Sequence, residues 1–138
     1  MLTTIYHRNY QKLLQLIPQL AELQVGHYLR FEAGAAFMPL SVDMLDREGK
    51  CLRIALAHNF EQNGDLVPDP DMELRVDLEE GTVEALTFQD QLVYHEVYPT
   101  PGKVYPDLKK SLNSFLSTWL TNLRHQGFQL VREKPSND

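Results

Sequence analysis

The sequence predicts an α+β fold: an antiparallel meander sheet of five to six strands, with an N-terminal helix and a long C-terminal helix packed on one face. Three observations predict it. Apolar residues recur at helical spacing near the two ends, over Tyr6, Tyr10, Leu13, Leu14 and Ile17 and again from Leu108 onward. Between them the period drops to two, as where Met72, Leu74, Val76 and Leu78 alternate with Glu73, Arg75 and Asp77. That alternation marks strands with one buried and one wet face. Short turn-forming stretches such as Asp46-Arg47-Glu48-Gly49-Lys50 join the strands as hairpins.

The first helix has Thr3 or Thr4 as its cap and ends at Pro18, which cannot continue the hydrogen-bond ladder. Residues 19–23 form a second short turn or a bent extension of the helix, and Gly26 releases the chain into strands. Leu29, Phe31 and Ala33 alternate with Arg30 and Glu32; Met38, Leu40, Val42 and Met44 with Ser41 and Asp43; Leu52, Ile54 and Leu56 with Arg53, Ala55 and Ala57. After 72–78, Glu79-Glu80-Gly81 turns the chain into 82–88, and a further extended run covers 92–98. Residues 89–91 read as a bulge within one long bent strand, with a turn between two strands as the alternative. Pro99-Thr100-Pro101-Gly102 is a stiff loop. Asp107 reads as the N-cap of the last helix, whose stripe is Leu108, Leu112, Phe115, Leu116, Trp119, Leu120 and Leu123. Gly127 stops it, and 128–131 adds a short terminal strand. A sheet curled around this helix is the alternative topology. Residues 1–132 are expected to form a single domain and 133–138 a flexible tail.

At 138 residues the chain buries a core without disulfides or metal. Its apolar fraction of 43% and charged fraction of 23% are those of an ordinary globular protein. A net charge of −6, with Lys109-Lys110 as the only adjacent basic pair, argues against a nucleic-acid partner. Cys51 is the single cysteine, so no internal disulfide forms, as is usual in a reducing compartment. The first residues carry no apolar signal core, and no apolar run nears the roughly 18 residues that span a bilayer. A cytoplasmic protein with no membrane partner is expected.

The segment 58–71, HNFEQNGDLVPDPD, concentrates polar chemistry between two strands. His58, Glu61, Asn63 and Asp65 are its candidate ligand- or partner-binding residues. Asp65, Asp69 and Asp71 lack the spacing of a calcium loop, and Asn63-Gly64 is a tight-turn pair. A stiff connector is therefore the first reading, partner contact the second, and no metal site is assigned. Tyr94, His95 and Tyr98 are the other candidates, with Glu96 beside them. On a strand Tyr94 and Glu96 share one face and His95 takes the other, so His95 and Glu96 do not pair as an acid–base couple. No nucleophile elbow, Cys-x-x-Cys, P-loop or dinucleotide motif occurs, so catalytic residues are unknown and no cofactor is expected.

Several runs resemble the YqiB-like bacterial proteins, a family of unknown function: Asn9-Tyr10, Leu16-Ile17-Pro18, Met72-Glu73-Leu74-Arg75-Val76, Val83-Glu84-Ala85, Tyr98-Pro99-Thr100-Pro101, and Leu112-Asn113-Ser114-Phe115-Leu116-Ser117-Thr118-Trp119-Leu120. The Glu61-Gln62-Asn63-Gly64-Asp65 run is similar to a second uncharacterised family, found on bacterial mobile elements. The resemblance implies a bacterial cytoplasmic protein and supplies neither substrate nor cofactor. The expected function is a non-enzymatic binding or interaction module for a protein or small polar ligand, forming a homodimer or binding a protein partner. The alternatives are a small hydrolase using His58, Glu61, Asp65 and His95, and an acidic chaperone-like dimer.

Overall fold

The structure is a computed structural model that describes residues 4–135, and for residues 59–62 and 65–68 the backbone alone. Helix α1 (Ile5–Leu16) starts where the Thr4 hydroxyl accepts the His7 amide at 3.3 Å and stops just before Pro18. A short 3-10 turn (Leu20–Glu22) leads to β1 (Tyr28–Glu32), β2 (Leu40–Glu48), β3 (Cys51–Gln62), β4 (Asp65–Asp77), β5 (Thr82–Ala85), β6 (Thr87–Gln89) and β7 (Tyr94–Glu96). Helix α2 (Pro106–Gln126) and β8 (Gln129–Lys134) complete the chain.

Among the described residues the sheet has eight strands, two or three more than the periodicity predicts. Its order is β7-β6-β4-β3-β2-β1-β8, with β5 also paired to β4 and every pairing antiparallel. The excess has three sources. The chain leaves the ladder at Leu86, so one predicted strand becomes β5 and β6. Residues 89–91 make a turn rather than a bulge: the Asp90 carboxylate accepts the amides of Leu92 at 2.8 Å and Val93 at 3.0 Å, folding β7 back on β6. The terminal strand pairs with β1 as far as Lys134, so the first two residues of the expected tail belong to a strand.

The ends of α2 follow its sequence with one correction. Tyr105 holds the N-cap position, Pro106 begins the helix, and Asp107 lies in the first turn, where its charge complements the helix dipole. Gly127 takes φ +79°, its amide bonding the Arg124 carbonyl at 3.2 Å while Phe128 bonds that of Leu123 at 3.4 Å. This pair of bonds reverses the chain with a left-handed residue. It returns Phe128 to the core and starts β8.

Both helices cover one face of the sheet. Leu29, Phe31, Val42, Met44, Leu52, Ile54, Leu56, Met72, Leu74, Val76 and Val83 meet Leu13 and Ile17 on one side and Leu112, Leu116, Trp119, Leu120 and Leu123 on the other. Each large side chain in this layer stabilises by about 1.5–3 kcal/mol. One polar residue is built into it. Asn113, 1% exposed, accepts the Ala85 amide at 2.8 Å and donates to the Lys109 carbonyl at 2.7 Å, while its own carbonyl accepts from Asn9 at 3.2 Å. It joins α1, α2 and the end of β5. The opposite face of the sheet is polar, with Arg53 paired to Glu73 and Asp46, and Arg30 to Glu32.

Candidate functional site

The segment 58–71 is the far half of one long hairpin, not a loop between strands. β2 makes its last pair with β3 at Leu40↔His58. From Asn59↔Pro68 to Gln62↔Asp65 the strands β3 and β4 continue paired with each other. Asn63 and Gly64, at φ +55° and +85°, close the ribbon as a two-residue turn with both positions left-handed. Pro68 sits inside this ladder, as it can where only one edge of a strand is engaged. Asn63 is exposed at the tip. The backbones of Glu61 and Asp65 flank it, and their side chains lie outside the described residues.

His58 stands at the root of the ribbon and faces the helices, continuing the inward parity of Leu52, Ile54 and Leu56. Its ring lies 5.5 Å from Trp119 and 5.6 Å from Phe128. Its Nδ1 is 3.1 Å from the Met38 carbonyl and 3.3 Å from that of Pro39. Both partners are acceptors, so Nδ1 carries the proton of the neutral ring. Burial pushes its pKa below the ordinary histidine value, against the pull of the two carbonyls. His58 is thus a link in a string of aromatic contacts running Phe37, Phe128, His58, Trp119, Phe115, Phe88.

The second group divides as strand geometry requires. Tyr94 and Glu96 lie opposite Gln89 and Thr87 on the open face, and His95 opposite Phe88 on the other. Tyr94 and His95 are both exposed. Partial burial raises the Tyr94 hydroxyl, and the carboxylates of Glu96, Glu73 and Asp71 add to it. Tyr98 belongs to a separate cluster at the start of α2. Its hydroxyl donates to the Glu84 carboxylate. The Lys109 ammonium stands 3.1 Å from that carboxylate and 5.7 Å from the ring centres of both Tyr98 and Tyr6. The Tyr98 hydroxyl, then Glu84, hold Lys109 well above the usual lysine range.

The predicted residues with described side chains therefore do not converge. His58 is under the helices, Asn63 at the ribbon tip, Tyr94 on the open face and Tyr98 beside α2. Among the described residues no three His, Cys, Asp or Glu side chains gather to hold a metal ion. Asp71, set aside from the sequence only as a calcium ligand, lies on the open face across from Ala57 and Gln89. Burial raises its pKa, and the charges that add to this are Glu73 and Asp43, both of its own sign. Extending the outward parity of Glu73 and Arg75 by one step finds it.

A family profile described as a domain of unknown function, DUF6908, matches residues 8–129. The chain belongs to the DUF6908 family. Membership confirms the coarse part of the resemblance, a family without assigned activity; the YqiB-like assignment and the likeness to a mobile-element family receive no match. No curated protein and no solved structure matches this DUF6908 chain. No helix among its described residues is long and apolar enough to cross a membrane.

Proposed function

We propose that this chain is a non-enzymatic binding module that recognises a protein partner, with the distal ribbon of β3 and β4 as its contact arm. The observation that carries this reading is the ribbon itself. Its four outer pairs lie beyond the last pair with β2 and add no third strand. A two-stranded ribbon is marginal in water by itself. Among the described residues the extension pairs only its own two strands, and on this reading it serves something outside the core. Such an arm offers backbone edges for strand addition and a preformed tip. Asn63 is that tip, Glu61 and Asp65 flank it, and His58 anchors its root among aromatic rings. Tyr94, His95 and Tyr98 lie on other surfaces and support the arm only as a wider contact area.

The hydrolase reading needs His58 and His95 in one cleft within hydrogen-bond reach. The rings of Trp119, Phe115 and Phe88 lie along the path between them, and no observation favours a shared cleft. The chaperone-like dimer has no observation of its own.

The test is a shortened hairpin, residues 59–68 replaced by Asn-Gly, compared with the full chain carrying a photo-crosslinking residue at Asn63. The expected result is an unchanged fold for the shortened chain, and one crosslinked protein in the native host that purified full chain binds and shortened chain does not. The same crosslinker at exposed Glu79 should leave that protein uncaptured. Equal capture from both positions would sink the reading, and so would unfolding of the shortened chain, which would make the ribbon structural.

A further inference from the structure

The β6–β7 turn carries three consecutive exposed apolar or aromatic residues: Leu92 at 91%, Val93 at 40% and Tyr94 at 52%. A run of this kind on a surface is a fault in a fold unless something covers it. It is also held rigid. The Asp90 carboxylate takes the amides of Leu92 and Val93, the Asp90 amide bonds the Val93 carbonyl at 3.1 Å, and Phe88 fixes the base of the hairpin edge-on against Phe115 at 5.4 Å. Leu92 is therefore a preorganised knob, and docking it costs little ordering of the chain. The turn itself carries the Asp90 carboxylate, and Glu96 on β7 and Asp71 across from Gln89 lie farther along the same hairpin.

The same chain carries a hollow of matching chemistry elsewhere. Between α1 and α2 lies a cavity of about 110 Å³ lined by Lys12, Gln15, Leu16, Leu120, Arg124 and Phe128. Its floor is apolar and its rim carries two cations. The Lys12 ammonium bonds the Ser117 hydroxyl at 2.8 Å, and among the described residues no carboxylate stands within ion-pair distance of Lys12 or Arg124. The volume is somewhat below the roughly 150 Å³ of an engineered cavity that takes benzene, a size suited to a branched aliphatic group.

We infer that copies of this chain associate head to tail, with Leu92 of one copy seated in the α1–α2 hollow of the next and the acidic turn facing Lys12 and Arg124. The knob and the hollow are different surfaces, so the contact is heterologous: each copy keeps one free knob and one free hollow unless the rotation closes a ring. The inference is independent of the ribbon arm, since neither surface includes residues 59–68.

The test uses the full chain in analytical ultracentrifugation from about 10 μM to 1 mM, the span in which a contact with one apolar anchor is populated. The wild type should gain mass with concentration, and added salt should suppress the gain because the rim is ionic. Leu92→Ala should weaken association by about tenfold. Leu92→Glu and Arg124→Glu, both at exposed positions, should each stay monomeric with unchanged circular dichroism. The decisive step mixes these two variants. One retains a good hollow and the other a good knob, so together they should form a heterodimer and nothing larger. A wild type that stays monomeric at every concentration overturns the inference. Association of Leu92→Glu at wild-type strength overturns it as well, and so does a mixture of the two variants that fails to pair.

Discussion

Asn113→Ala should be among the most damaging single substitutions in this protein, and its size can be worked from the contacts. Asn113 is 1% exposed and its side chain makes two hydrogen bonds, from the Ala85 amide at 2.8 Å and to the Lys109 carbonyl at 2.7 Å. The Lys109 carbonyl belongs to helix α2 and keeps its ladder role, so that loss is small. The Ala85 amide is buried and donates to the Asn113 side-chain oxygen. Leaving such a donor unsatisfied costs about 1–3 kcal/mol, and the vacated amide volume adds a cavity term of order 1 kcal/mol. The expected loss is about 2–4 kcal/mol, which at about 3–5 °C per kcal/mol for a chain of this size lowers Tm by roughly 6–20 °C. Asn113→Asp keeps an acceptor for Ala85 but sets a carboxylate oxygen against the Lys109 carbonyl, so it should not rescue. Asn9 supplies the contrast. It is fully buried and donates to the Asn113 carbonyl at 3.2 Å, but among the described residues its own Oδ1 has no hydrogen-bond partner. Asn9→Leu removes an unsatisfied acceptor along with a hydrogen bond and should change stability by less than about 1 kcal/mol. Chemical denaturation of the three variants reads all of this. An Asn113→Ala loss no larger than that of Asn9→Leu would refute the view that the Ala85 amide depends on Asn113.

Three further outcomes are expected. His58 has a folded-state pKa below its unfolded value, so on acidification the unfolded chain takes the proton first; stability should fall as pH drops through about 6.5, and urea melts of His58→Phe should show that slope reduced. Asp71 behaves oppositely, because burial and the like charges of Glu73 and Asp43 raise its folded pKa; Asp71→Asn should raise stability at pH 7 by up to about 1 kcal/mol in the same melts, and an unchanged midpoint would mean that water screens those charges fully. Gly127→Ala places a Cβ at φ +79° and should cost about 1–2 kcal/mol by thermal melting, although nothing lies within 4 Å of the added atom.

The helices were legible because their signal is long. The α2 stripe, from Leu108 to Leu123, repeats over about four turns, and the glycine that ends the helix leaves one backbone solution. The inner strands were legible for the same reason, since 72–78 alternates without a fault. What the sequence hid is set by single contacts. Gln89-Asp90-Gln91 has no glycine or proline to announce a turn, and the turn exists because one carboxylate reaches two amides. The number of strands depends on a similar accident at Leu86, where the Thr87 hydroxyl takes the Glu73 amide at 3.0 Å and interrupts the ladder. The pairing of β8 with β1 joins residues about a hundred positions apart, and no local pattern encodes it. The segment 58–71 misled for a different reason. Its prolines and acids are poor strand formers in a central position, but an outer ribbon engages one edge of each strand and tolerates them.

Parity along the strands, more than polarity, decides where the candidate residues stand. His58 and Asp71 belong to the same polar segment, yet β3 and β4 send them to opposite faces. The inward step from Leu52, Ile54 and Leu56 lands on His58, and the outward step back from Arg75 and Glu73 lands on Asp71. Burial then acts on them in opposite senses. It favours the neutral imidazole, which serves as a packing ring, and it disfavours a carboxylate that stands beside the like charges of Glu73 and Asp43. A histidine fixed between two carbonyls and two aromatic rings is a poor place to look for catalysis. The surfaces that the fold leaves unexplained are instead those that project: the ribbon beyond Leu40↔His58 and the turn that holds Leu92 in water. The ribbon's four outer pairs lie beyond the last pair with β2, and the Asp90 carboxylate holds the turn in which Leu92 is 91% exposed, which is why these two are proposed as contact surfaces.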